Sequence, residues 1–119
     1  MRLSQAIRLG AMLRPQGRAG LLVNGKTCAL GAACEAVGIT TGQVKYDSQA
    51  YKDLRAKWPF LDTEAYHESL PGGDTVLVAI WKLNDIMGHT REQIADWVET
   101  IEEGTDVATV LHATSESRA

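Results

Sequence analysis

The sequence predicts a mainly helical α+β domain of about five helices, with a small β-hairpin near residues 20–28. Three observations predict it. Apolar residues recur at helical spacing in several separate stretches. An Asn24-Gly25 pair sits between two short β-prone runs, where a type I′ turn needs positive φ at both central residues. Glycine and proline punctuate the chain at intervals suited to short helices. At 119 residues the chain is long enough for about one domain with a core that needs no staples.

Each element has its own signal. Leu3, Ile7 and Ala11 share a helical face, with Ser4 as the expected N-cap and Pro15 and Gly17 as the stop. Leu21 to Cys28 forms the hairpin. Cys28 to Val37 reads as a helix with Thr27 at its start and Gly38 as its C′ residue; Gly31, Ala32 and Ala36 make a surface that another segment can approach closely. Thr40 to Asp47 is a polar loop. Ser48 to Trp58 is a helix with Tyr51, Leu54 and Trp58 on one face, broken by Pro59, and Asp62 to Leu70 is expected to add a short helical turn. After Pro71-Gly72-Gly73, the segment Val76 to Met87 is apolar nearly all round and is placed at the centre of the core. A buried strand over Thr75 to Trp81 is the competing reading. Gly88 ends that element. Thr90-Arg91-Glu92-Gln93 is a capping box, and the helix it starts runs to about Glu103 with Ile94, Val98 and Ile101 inward and Gly104 as its stop. Residues 1–104 are therefore read as one globular domain. Residues 105–119 form a C-terminal extension, with a further helical turn over Asp106 to His112 and fraying from Thr114 onward.

Composition narrows the function. The net charge of −3 argues against a binder that relies on neutralising phosphates, so nucleic acid is not the expected partner. Arg2, Arg8, Arg14 and Arg18 bias the N-terminal segment positive, while Glu92, Asp96, Glu99, Glu102 and Glu103 make the last helix acidic. That asymmetry reads first as two solvated faces, and second as a means to orient a partner or another copy of the chain. No apolar run reaches the roughly eighteen residues of a membrane span, and no secretory signal is visible. Cys28 and Cys34 lie at a spacing that does not share a helix face, so they are poor disulfide partners. Unpaired thiols favour a reducing, cytoplasmic setting.

Few residues offer chemistry. Cys28 precedes a helix N-terminus, which favours a thiolate; with His89 as base and Asp85 or Asn84 to orient it, a cysteine-hydrolase triad can be drawn. A buried structural cysteine is the commoner role. Asn84 and Asp85 at a helix end either satisfy orphan backbone groups, the favoured reading, or bind a ligand. His67, His89 and His112 lack the spacing of metal ligands, so no metal and no cofactor is expected. Thr90 to Trp97 is similar to the first helix of a helix-turn-helix, but Glu99 stands where that motif needs glycine. Of Trp58, Trp81 and Trp97, the last lies off the apolar stripe and is the candidate for an interface anchor.

Taken together, Leu3-Ser4-Gln5-Ala6-Ile7-Arg8-Leu9-Gly10, Cys28-Ala29-Leu30-Gly31-Ala32-Ala33, Trp58-Pro59, Leu83-Asn84-Asp85 and Thr90-Arg91-Glu92-Gln93-Ile94-Ala95-Asp96-Trp97-Val98 resemble a group of small uncharacterised proteins of bacteria and their phages. The likeness spans residues 3 to 103 and brings no activity with it. Some members hold a Cys-x-x-Cys pair and flanking histidines that suit zinc. This chain has Pro71-Gly72-Gly73-Asp74, Lys82 and Met87 at those places, so the resemblance implies a member without the metal. The expected function is a cytoplasmic, non-enzymatic binding or regulatory protein acting on a protein or a small ligand, with self-association into a homo-oligomer as one form of partner. The resemblance adds a phage connection and, through it, a role in blocking a host defence system. A cysteine hydrolase and a DNA-binding regulator are the alternatives.

Overall fold

The computed structural model describes residues 1–42 and 48–118, the last part (105–118) as backbone only. Five helices carry the fold: α1 (Leu3–Ala11), α2 (Ala29–Val37), α3 (Ser48–Lys57), α4 (Val76–Asp85) and α5 (Arg91–Arg118). A two-stranded antiparallel hairpin, β1 (Leu22–Val23) and β2 (Lys26–Thr27), joins α1 to α2. The mainly helical α+β class is thus as the sequence predicts. Asn24 and Gly25 take φ of 53° and 75°, the pair of positive angles that a type I′ turn requires.

All five helices feed the core, with Leu3 and Ile7 of α1, Leu54 of α3, Ile80 and Leu83 of α4 and Ile94 and Val98 of α5 around an α2 that is buried on every side from Ala29 to Cys34. Two glycines let backbones touch. A side-chain carbon on Gly10 would lie 1.8 Å from the Ala32 carbonyl oxygen, and one on Gly31 would lie 1.8 Å from that of Leu21. The small-residue surface around Gly31 therefore does what the sequence suggests, with the segment entering the hairpin laid against it.

Charge holds α1 to α5. Arg8 reaches Glu92 at 3.0 Å, Asp96 at 2.7 Å and Glu99 at 2.8 Å, and the Ser4 hydroxyl donates to Glu102. The three carboxylates, Asp96 and Glu99 foremost, raise the Arg8 pKa above its ordinary value. Arg8 thus faces the acidic side of α5, which revises the sequence reading at that arginine, while the Glu92 and Asp96 side chains remain 64% and 65% exposed and keep that face solvated. Arg14 likewise pairs with Glu35 of α2.

Several boundaries differ from expectation. Arg2, not Ser4, occupies the N-cap of α1, and its N–H donates to the Gln5 side chain at 3.0 Å. Cys28, not Thr27, caps α2, because Thr27 is spent in the hairpin ladder. No helical turn forms over residues 62–70. A 3-10 turn at Pro59–Asp62 comes earlier, driven by proline at its first position, and bridges Glu64–Thr75 and His67–Leu70 shape the segment between that turn and α4. The segment Val76–Asp85 is helix rather than strand, with the Thr75 hydroxyl accepting from the Val78 N–H. It is not buried all round, since Trp81 remains 45% exposed. Helix α5 passes straight through Gly104, because an isolated glycine weakens a helix without bending its backbone into a stop. Residues 43–47, on which part of the expected polar loop falls, Ala119, and the side chains of His112 and Thr114 lie outside the described residues. Among those described, no helix is long and apolar enough to cross a membrane.

Candidate functional site

The bend between α4 and α5 gathers the polar residues that the sequence singles out. Helix α4 ends at Asp85, and Gly88 turns the chain with φ of 69° so that the His89 N–H can reach the Leu83 carbonyl at 2.9 Å. The capping box forms as predicted: the Gln93 N–H donates to the Thr90 hydroxyl at 3.1 Å, and the Thr90 N–H donates to the Gln93 side chain at 2.9 Å.

Asn84 is the hub of this corner and is 6% exposed. Its oxygen accepts from the Ala29 N–H at 3.2 Å and from Gln16 Nε2 at 2.9 Å. Its amide nitrogen donates to the Gly17 carbonyl at 2.9 Å and to Asp85 Oδ1 at 2.7 Å. Every polar position of the side chain is used. Asn84 thus ties the start of α2 and the 16–19 loop to the end of α4.

Sequence reasoning missed two partners. Gln16 donates to Asn84 and to the His89 carbonyl at 2.8 Å, and accepts from the Arg91 N–H at 3.2 Å. Lying between Pro15 and Gly17, it reads in sequence as part of a helix stop. Arg91 is buried and donates to Thr27 Oγ1 at 2.9 Å and to the carbonyls of Ala11 at 3.3 Å and Arg14 at 2.7 Å. These lie at and just beyond the C-terminal end of α1, where free carbonyls favour a cation. Burial lowers its pKa. The only sequence signal for Arg91 is its place in the capping box, which says nothing of burial.

The triad members are not assembled. The Cys28 sulfur is buried and accepts from the Gly31 N–H at 3.4 Å, as a helix cap does. Burial pushes its thiol up to about 11, and the nearby Asp85 charge acts in the same direction. The expectation that the helix N-terminus would favour a thiolate is thereby reversed, because desolvation outweighs the helix-end donors. His89 turns elsewhere: its ring meets that of His67 edge-on with centroids 5.5 Å apart, and its buried Nδ1 has no hydrogen-bond partner among the described residues. Among the described residues no hydrogen bond links Cys28, Asp85 and His89 into a relay.

Trp97 is half-buried, with its ring 5.3 Å from His67 and its indole N–H donating to the Tyr66 carbonyl at 3.1 Å. Trp81 is the tryptophan that faces solvent. It stands at a cavity of about 230 Å³ between α2, α3 and α4. Leu30, Ile80 and Ala29 supply its apolar wall, and Cys28 and Asp85 its polar end. Ala19, on the rim, takes φ of 68°, an uncommon angle for a residue with a side chain, and its N–H donates to Asp85 Oδ2 at 3.0 Å. Among the described residues, no group of three His, Cys, Asp or Glu side chains is placed to hold a metal ion. Compared with known protein families, curated proteins and solved structures, the chain matches none of them.

Proposed function

We propose that this chain is a small non-enzymatic binding protein whose binding element is the cavity under Trp81. The carrying observation is the contrast between that cavity and the chemistry around it. The groups that would run a reaction are committed to structure: Asn84 is saturated, Cys28 is a protonated helix cap, and His89 faces His67. The cavity combines apolar walls with a single charged end, the composition that ligand sites share. Its polar end is built by the same corner that fixes α4 against α2, so a bound ligand would stabilise the junction of three helices. That junction is how binding would be felt elsewhere, and it gives the regulatory reading a physical basis.

The test pairs alkylation with ligand screening by amide NMR. At about pH 8 a thiol with so high a pKa holds little thiolate, so Cys28 in the folded protein should resist iodoacetamide while the unfolded chain reacts. Single-ring fragments should shift the amides of Ala29, Leu30 and Asp85. Rapid alkylation of folded protein that is abolished by His89→Ala would overturn the binding reading in favour of the hydrolase.

A further inference from the structure

We infer that the cavity selects a small organic cation: an ammonium or amidinium group on a single aromatic or branched apolar unit. The inference rests on the reading of the cavity as the binding element and adds the class of ligand. Asp85 is its centre. Each carboxylate oxygen accepts one neutral N–H, Oδ2 from Ala19 at 3.0 Å and Oδ1 from Asn84 at 2.7 Å. A carboxylate has room for about four such bonds, so acceptor capacity remains on both oxygens. Among the described residues, no Lys or Arg forms an ion pair with Asp85. Two neutral donors therefore aim the carboxylate without cancelling its charge.

The surroundings favour a cation over its rivals. Trp81 sets a large π system at the rim, and indole attracts cations more than the other aromatic rings do. Cys28 stays uncharged, since burial holds its thiol protonated, and so adds a soft wall without a second charge. An anion would meet Asp85 directly. A neutral ligand would fill the apolar wall of Leu30 and Ile80 but leave the carboxylate without its counter-charge. Size sets the rest: a cavity of about 150 Å³ holds a benzene-sized molecule, and this one is about 230 Å³. One ring with a short charged arm fits. The strained Ala19 backbone supports the same conclusion, because it holds the N–H that orients Asp85 before any ligand arrives.

Three probes of one shape decide the matter: phenethylamine, 2-phenylethanol and phenylacetate, titrated into the intact protein and followed by amide shifts and by the shift of the Trp81 indole N–H. The amine is expected to bind about tenfold more tightly than the alcohol, the size of a partly solvated charge contact with a cation–π contribution. The carboxylate should bind least. Added salt should weaken the amine and leave the alcohol unchanged. In Asp85→Asn the amine should fall to the level of the alcohol. Equal binding of amine and alcohol overturns the cation inference while leaving the cavity as a binding element. Failure of all three to shift any cavity amide overturns both. Should Asp85→Asn not fold, the isostere series and the salt titration on the unaltered chain still decide, and Trp81→Leu should weaken the amine more than the alcohol.

Discussion

Two polar sites lie five residues apart across the α4–α5 bend and are treated in opposite ways. At Asn84 every donor and acceptor has a partner, drawn from the 16–19 loop, the α2 start and the neighbouring Asp85. At His89 the ring packs against His67, and the buried Nδ1 has no partner among the described residues. A saturated buried group specifies geometry, because any other arrangement leaves some atom unmatched. An unmatched buried atom is a weak point, because nothing replaces the water it gave up on folding. One side of the bend is therefore a latch and the other a soft contact.

The largest effect should come from cutting the latch. Asn84→Ala strands the Ala29 N–H and the Gly17 carbonyl and takes one of the two acceptors of the Gln16 amide. With buried groups costing about 1–3 kcal/mol each when unmatched and some relief from water, the loss should be about 3 kcal/mol. For a domain of this size that is a fall in Tm of about 10 °C by calorimetry. Asn84→Asp should recover little, since it sets a second carboxylate against Asp85 and removes the donor to Gly17. A loss under about 0.5 kcal/mol for Asn84→Ala, the level of an ordinary surface change, would show that the network is ornamental and the contrast with His89 false.

Much of the latch is legible in the sequence and half of its parts are not. The bend reads correctly because Gly88 and the Thr90–Gln93 box are local signals, each decided by residues within a turn of one another. The hairpin reads for the same reason. The small-residue surface of α2 reads because Gly31 costs helix stability and needs a compensating contact, although the sequence could not say that Leu21 provides it. Gln16 and Arg91 do not read, because their roles depend on segments that meet only after folding: Gln16 is 68 positions from Asn84, and Arg91 is 77 from Arg14. The error over Gly104 has a local cause, since glycine is compatible both with a helix end and with continuation. The cavity is similarly hidden. Trp81 sits in a run of apolar residues whose pattern says buried, and only the packed helices show that it lines a cavity and stays 45% exposed.

Trp97 sharpens the comparison from the soft side. It holds the 64–70 segment by one indole N–H to the Tyr66 carbonyl and by its contact with His67. Tyr66 itself is largely exposed. Trp97→Phe keeps a ring in place and removes the hydrogen bond, so it should cost about 1 kcal/mol, well short of Asn84→Ala. Hydrogen exchange should localise the change to residues 64–70 and leave the Ala29 amide protected. Protection lost equally at Ala29 would mean that latch and contact form a single unit.

The smallest effect is one of pH, and its sign distinguishes the two sides. His67 titrates below the ordinary imidazole value of 6.5, because burial disfavours its charged form and the adjacent His89 adds to this, against a weaker opposing pull from Glu68. Its Nδ1 also accepts the Ser69 N–H at 2.9 Å, a bond that protonation of that nitrogen would break. A group with a lowered folded-state pKa contributes stability above its unfolded value, and that stability is lost as pH falls through 6.5 towards the folded value. Below 6.5 the unfolded chain takes up the proton first, so acid favours unfolding over this window. Chemical denaturation from about pH 7.5 to about pH 5.5, a window that brackets the ordinary imidazole value, should show stability falling towards acid. His67→Gln, which keeps an acceptor for Ser69 without a titratable ring, should flatten the slope. Imidazole NMR on the unaltered protein reads the same quantity directly. A His67 titration at or above 6.5 would make the soft side as settled as the latch, and the contrast between the two ends of the bend would disappear.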